Sequence, residues 1–293
     1  MATGERIGMI AGWGRFPFEV AYALQSNGHQ VYCLGIAGHV EKSISRFCSD
    51  FQVTGLARMG QHIRFFRRNG VRRVTMAGKI HKILLFQPNF LLRNIPDWKS
   101  VKTFFPHFIT GTKNRNDDAL LTAAVAGYAE GGLEVTPATE LVPQLLIEQG
   151  QLSGPKLRPS LQKDIEYAWN LAKEMGRLDV GQSVAVKGRA VLAVEAVEGT
   201  DECIRRAGML CSSGGFTVVK VAKPQQDMRF DVPTIGVGTI QSMVQAGGKV
   251  LVVEAEKTII VDQPQVIRVA REYGITLVSI KDGQVENNML AAA

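Results

Sequence analysis

Histidine is absent beyond residue 107: all five, His29, His39, His62, His81 and His107, precede the middle of a 293-residue chain. Neither a Ser–His–Asp relay nor a histidine metal site can be built from the second half alone. The four cysteines, Cys33, Cys48, Cys203 and Cys211, form no CxxC pair. That argues against a zinc ribbon or dithiol redox motif and fits buried thiols in a reducing cytoplasm. No uncharged apolar run reaches about 18 residues, so no helix is expected to span a membrane. The first six residues are charged and lead into a strand, unlike a secretory signal. No repeat or low-complexity segment is visible.

Acid is nearly missing from one region. Residues 58–115 hold thirteen Lys or Arg and one carboxylate, Asp97, a local +12 within a whole-chain charge of +7, so the remainder nets −5. Such a stretch suits nucleic acid, anionic lipid or a phosphorylated ligand, or is simply a solvated helix face. No RNA-binding motif accompanies it, and nucleic acid is not expected as a partner. Residues 83–109 add Phe86, Phe90, Trp98, Phe104, Phe105 and Phe108 between basic residues. They suit acyl chains or an anionic bilayer, or cover a core.

What is present reads as a globular α/β chain. At 45% hydrophobic and 21% charged it can fill a core, and its length allows two domains. Residues 6–11 read as a buried strand, Gly12–Arg15 as a turn, and Pro17 as suited to a helix start. A second strand over 29–36 completes a β-α-β opening of a Rossmann-like parallel sheet. The expected order continues with a basic helix over 60–69, a strand over 71–77, a helix over 117–130, and mostly helix over 138–150. Residues 151–160, polar with two prolines, read as a linker. The expected division is thus 1–150 for the first domain and 161–285 for a second, distinct α/β domain. In the latter, helix 161–175 precedes strands at 182–187 and 190–196. Helix 200–210 is expected to be capped by Thr200, with Asp201 and Glu202 in its first turn.

Chemistry-bearing residues concentrate late. Between Lys220 and Gly236 stand Lys223, Asp227, Arg229 and Asp231, cations for an anion and carboxylates for a hard divalent metal. Together they suit chemistry on a phosphate; the plainer reading is a salt-bridged loop anchor. Glu195 stands on an otherwise apolar strand and needs a metal, lysine or arginine partner. Gly199-Thr200 at a helix start, and Gly12-Trp13-Gly14-Arg15 before another, suit phosphate. The second turn resembles a dinucleotide loop, but no acid follows the second strand to hold a ribose hydroxyl. Gly78-Lys79 ends a strand expected to share an edge with Gly12.

These stretches together resemble the UDP-2,3-diacylglucosamine pyrophosphatases of the two-domain α/β type, from lipid A biosynthesis. The matching segments are 8–17 (GMIAGWGRFP), 116–121 (NDDALL), 178–186 (LDVGQSVAV), 193–207 (AVEAVEGTDECIRRA) and 220–236 (KVAKPQQDMRFDVPTIG). Trp13 and Asn116 stand where the family pattern has glycine. The resemblance implies a substrate clasped by two domains, magnesium or another hard divalent cation, and hydrolysis to UMP and 2,3-diacylglucosamine 1-phosphate (lipid X). It also implies a homodimer in the cytoplasm, with peripheral contact to the inner membrane. Carried over by position, Asp227 and Asp231 are catalytic, and Asp227, Asp231, Glu195 and Asp118 hold metal. Gly12, Trp13, Gly14, Arg15, Gly78, Lys79, Gly199, Thr200, Lys220, Lys223, Gln226 and Arg229 bind substrate. Two other readings compete: a non-catalytic binder of nucleotide sugar or glycolipid, and a Rossmann-type oxidoreductase.

Overall fold

The computed structural model describes residues 4–80, 95–108 and 117–291. It divides into two compact units, Met1–Gln144 with Met228–Phe230, and Leu145–Asp227 with Asp231–Ala293. Much of the aromatic stretch, including Phe86 and Phe90, lies outside the described residues, as does Asn116.

The first unit holds a five-stranded, all-parallel sheet in the order β3-β2-β1-β4-β5. Its strands are β1 (Arg6–Ala11), β2 (Gln30–Ile36), β3 (Asp50–Thr54), β4 (Arg73–Ala77) and β5 (Glu134–Val135). β1 and β2 are apolar almost throughout, as strands buried on both faces must be. Among the described residues the α-helices are α1 (Phe16–Ser26), α2 (Met59–Arg68), α3 (Trp98–Phe108), α4 (Asp117–Glu130) and the short α5 (Ala138–Leu141). Pro143 ends α5, so residues 138–150 are less helical than their composition suggests. Gly8 lacks a side chain where the ring of Phe66 packs; a Cβ there would lie 2.8 Å from it.

Within the basic segment, α2 presents a solvated basic face. Phe65 and Phe66 of α2 are buried while Arg64, Arg67 and Arg68 are exposed. Asp97, the segment's single acid, ties two helix starts together. Its Oδ1 accepts from Ser100 N and its Oδ2 from Gln61 N, each at 3.0 Å. Burial pushes this carboxyl upward, but the N–H groups of Ser100, Gln61 and Gly60 outweigh it and hold it below the usual range.

His62 is a satisfied core histidine. Its Nε2 lies 3.0 Å from the Gly55 carbonyl, which can only accept, so Nε2 carries the hydrogen. The Tyr128 hydroxyl, 2.7 Å from Nδ1, therefore donates. Burial lowers His62 from 6.5 to about 4, against smaller opposing effects of the Gly55 bond and Asp97. On acidification the unfolded chain takes the proton first. The stabilisation by neutral His62 is complete above about pH 6.5 and is lost as pH falls toward 4, on the order of 3 kcal/mol in all. Urea unfolding at pH 7 and pH 4 should show His62→Gln losing much less stability on acidification than the wild type. Parallel losses in both proteins would refute this.

The second unit holds a six-stranded sheet, β6-β13-β11-β9-β7-β8, and a two-stranded pair, β10-β12. The strands are β6 (Gly150–Ser153), β7 (Ser183–Lys187), β8 (Ala190–Val194), β9 (Thr217–Lys220), β10 (Thr234–Ile235), β11 (Val250–Glu254), β12 (Ile259–Ile260) and β13 (Thr276–Ile280). β9, β11 and β13 run parallel; β6, β7 and β8 pair antiparallel. On one face α6 (Pro159–Arg177) packs Ile165, Trp169 and Ala172 against Val219, Val252 and Val278. On the other, α7 (Thr200–Leu210), α8 (Val237–Ala246) and α9 (Gln263–Glu272) pack Ile204, Ile240 and Val266 against Val218, Leu251 and Leu277. Alternate strand residues thus feed two cores.

The stretch expected as a linker is structured and belongs to this unit. Residues of β6 pair with β13, and Ser153 Oγ donates to Ile275 O at 2.9 Å. The Gln151 side chain holds the carbonyls of Ser153, Gly154 and Pro155, and Pro159 already stands in the first turn of α6. Local polarity and proline marked an edge strand and a helix start, not a free connection.

Candidate active site

In the second unit, parallel β9 and β11 end where antiparallel β8 ends and β7 begins. Ser183, first in β7, is opposite Lys220, last in β9. Glu195 follows β8 directly, and its backbone N donates to Ser183 O at 2.9 Å. Strand ends of this polarity are the usual ligand-facing edge of an open α/β sheet.

Four side chains meet there. Thr200 Oγ1 donates to Glu195 Oε1 at 3.0 Å and accepts from Lys220 Nζ at 2.9 Å. Its hydrogen is thereby spent on Glu195, so the Ser183 hydroxyl, 3.4 Å away, is the donor in that contact. Glu195 and Lys220 are both buried, and Glu195 Oε2 has no hydrogen-bond partner among the described residues. A buried carboxylate oxygen without a donor is costly unless something supplies one. Burial, and next the Glu195 carboxylate, push the Cys203 thiol up to about 12, so it is no nucleophile.

Thr200 does not cap its helix as its position suggests. The cap residue is Gly199, whose φ of 83° suits glycine, and the Thr200 hydroxyl turns to Glu195 instead. Asp201 and Glu202 do occupy the first turn. Gly181 explains how Glu195 fits: a Cβ at residue 181 would lie 2.0 Å from Glu195 O.

The loop after β9 is organised by its own polar groups. Lys223 N donates to Gln226 Oε1 at 2.8 Å, and Gln226 Nε2 donates to Asp231 Oδ2 at 2.7 Å. Asp231 N donates to Asp227 O at 3.0 Å, which puts both acids in one turn. Lys223 Nζ donates to Asp179 Oδ1 at 2.7 Å. Gln226 thus positions Asp231 within the loop, and Arg229 is half-buried. Asp179 and Ser183 were not singled out in the sequence. Both lie within 178–186, where the family resemblance alone marked them, because neither interrupts an apolar run.

Among the described residues no three His, Cys, Asp or Glu side chains form a metal-holding group. Glu195, engaged with Thr200, therefore does not join Asp227 and Asp231 in one cage; the side chain of Asp118 lies outside the described residues. A magnesium ion needs no such cage. It is usually held by one or two carboxylates, with waters and substrate phosphate completing its shell. The Asp227–Asp231 turn fits that requirement.

The first unit brings its glycine turn together as expected. Gly12 N donates to Ala77 O at 2.8 Å, and Trp13 and Lys79 exchange backbone bonds of 2.9 Å. A Cβ on Gly12 would lie 2.6 Å from Lys79 O, and Gly14 and Gly78 have φ of 106° and 92°, so glycine is required at all three. Trp13 and Lys79 are exposed, while Arg15 opens α1 over the Phe18 ring at 6.0 Å. Pro17 occupies the first turn of α1.

The architecture defines a class: two-domain α/β proteins whose second sheet gathers acids and lysines at one edge. An LpxI N-terminal domain model matches residues 6–145 and an LpxI C-terminal domain model residues 148–278. The chain belongs to the LpxI family. A relative from Caulobacter vibrioides, UDP-2,3-diacylglucosamine pyrophosphatase LpxI, is 30% identical over 283 residues, covering 94% of this chain and 98% of that protein. Among solved structures, the biotin carboxylase domain of Hydrogenobacter thermophilus 2-oxoglutarate carboxylase is 12% identical, with a TM-score of 0.25 over 71% of this chain and 41% of that one. The biotin carboxylase subunit of a pyruvate carboxylase is 12% identical, with a TM-score of 0.24 over 71% and 42%. The chain spans about two-fifths of those two proteins, and likeness this slight has no bearing on its function.

Proposed function

We propose that the protein hydrolyses the pyrophosphate bond of UDP-2,3-diacylglucosamine in lipid A biosynthesis, with a hard divalent cation, magnesium above all. Water adds across the P–O–P bridge, one bridging P–O bond breaks, and UMP and 2,3-diacylglucosamine 1-phosphate each leave with one phosphorus. The observation that carries the reading is end-to-end similarity to a pyrophosphatase in a chain whose Asp227 and Asp231 share one turn. Bound magnesium would supply charge neutralisation at the phosphates and a more acidic water. Asp227 accepts the proton of the attacking water, and Gln226 holds Asp231 beside it. Lys220, Lys223 and Arg229 balance the negative charge that grows on the phosphoryl oxygens. Gly199-Thr200 leads into α7, a helix start whose positive end favours phosphate, and the Gly12–Arg15 turn leads into α1 in the same way.

The same reading carries a cytoplasmic homodimer with peripheral contact to the inner membrane. Trp98, Val101 and Phe105 are exposed on α3 beside Lys102, and among the described residues no helix is long and apolar enough to cross a membrane.

The direct test is UMP release from the acylated nucleotide sugar, followed by chromatography. Magnesium should support equal yields of UMP and lipid X, a chelator should stop both, and added magnesium should restore them. Saturable binding of the substrate without hydrolysis under any divalent cation would overturn the reading in favour of a non-catalytic binder.

A further inference from the structure

Glu254 ends β11 after four apolar residues, the same pattern that places Glu195 after β8. It is 4% exposed, yet its carboxylate is fully engaged. Oε2 accepts from Lys173 Nζ at 2.6 Å and from the backbone N of Ala222 at 2.7 Å; Oε1 lies 3.0 Å from Lys257 Nζ. Lys173, on α6, also donates to the Ala222 carbonyl at 3.0 Å and stands over the Trp169 ring at 5.3 Å. Both peptide groups of Ala222 are therefore gripped by one ion pair whose carboxylate is buried and whose lysine is half-buried.

Ala222 is the root of the loop that carries Asp227. From Lys223, a continuous path runs through Gln226 to Asp231, and Asp231 N returns to Asp227 O. The end of α6 braces the same root. Gln225 Nε2 donates to Gly176 O at 2.9 Å, and Gly176 leaves space that a Cβ would take from Lys223, 3.1 Å away. A buried ion pair contributes little net stability over apolar packing of the same volume. What this pair has that apolar groups lack is a donor and an acceptor aimed at one residue of the backbone.

We infer that Glu254 and Lys173 are positioning residues for the hydrolysis, acting through Ala222 on the placement of Asp227 and Asp231. The inference rests on the proposed pyrophosphatase reading, because it assigns the loop its chemical role. Displacing a reacting group by about 1 Å can cost about 100-fold in rate without altering substrate contacts.

The experiment uses Glu254→Gln and Lys173→Met in the full chain, assayed with UDP-2,3-diacylglucosamine and magnesium well below each variant's melting temperature. Each should lower kcat by about 10- to 100-fold and leave KM within about threefold. Lys173→Arg, which keeps the charge and a donor, should recover part of the loss. Hydrogen–deuterium exchange should speed up over 222–231 in both variants and remain unchanged in β7 and β13. Faster melting with an unaltered kcat would mean that the pair only stabilises the unit, and would overturn the inference. Unaltered exchange over 222–231 would overturn the clamp itself, whatever the activity. If the wild type releases no UMP, the pyrophosphatase reading fails and the inference with it, and exchange then reports only whether a clamp exists. Should Glu254→Gln not fold, Lys173→Met carries the same two readouts.

Discussion

Asp227→Ala is expected to abolish UMP release, lowering kcat by about 10³-fold or more, while the protein keeps its fold and still binds substrate. The structure favours a clean result. The bond that shapes the turn runs from Asp231 N to the backbone oxygen of Asp227, which alanine retains. The Gln226–Asp231 and Lys223–Gln226 bonds do not involve the Asp227 side chain. The substitution removes a carboxylate and keeps these three bonds. A single group acting mainly in the transition state is worth about 10²- to 10⁴-fold, or about 3–5 kcal/mol of barrier. Unchanged circular dichroism and melting, retained substrate binding by calorimetry and absent product would together support the assignment. Turnover within about tenfold of wild type would remove Asp227 from the mechanism.

Lys220→Met should produce two losses that a second substitution separates. Lys220 and Glu195 are both buried and joined through the Thr200 hydroxyl. Without the ammonium, the Glu195 carboxylate is left in a site that no longer compensates it, at a cost of about 3 kcal/mol in urea unfolding. On the proposed pyrophosphatase reading turnover should fall about 100-fold as well, because that reading assigns Lys220 to the phosphate charge. Adding Glu195→Gln to Lys220→Met removes the stranded charge. The double variant should regain most of the stability and none of the turnover. If turnover returns with stability, Lys220 holds the unit together and does no chemistry; if the single variant is as stable as wild type, the buried pair does not matter to folding.

The legible parts of the site were residues whose type contradicts their surroundings. Glu195, Lys220 and Glu254 each end a run of apolar strand residues, and a charge there must have a partner. Glu195 is read this way from the sequence and Lys220 as a cation of the late loop; Glu254 carries the same signal and is not singled out. The glycines of the first unit were legible because a turn after a strand demands them, and Gly12, Gly14 and Gly78 meet as the parallel order requires. The sequence reading makes Thr200 a helix cap, whereas in the structure Gly199 is the cap and the Thr200 hydroxyl turns to Glu195. Capping preference is a local rule, and a buried carboxylate 3.0 Å away competes for the same hydroxyl. The 151–160 segment failed for a similar reason. Its polarity was local, whereas its partners, Ile275 and Met289, are more than a hundred residues away.

Apolar periodicity, obligatory glycines and charges at strand ends determined, without any coordinates, that this chain forms two α/β units with a charged late loop. These are rules about near neighbours, and neighbours are what a sequence displays. The grouping of Glu195 with Thr200 and Lys220, its separation from the Asp227–Asp231 turn, and the grip of Glu254 and Lys173 on Ala222 were decided by folding alone. Strand order and register bring distant residues within about 3 Å, the distance at which hydrogen bonds and ion pairs act, and no spacing along the chain encodes which ones will meet.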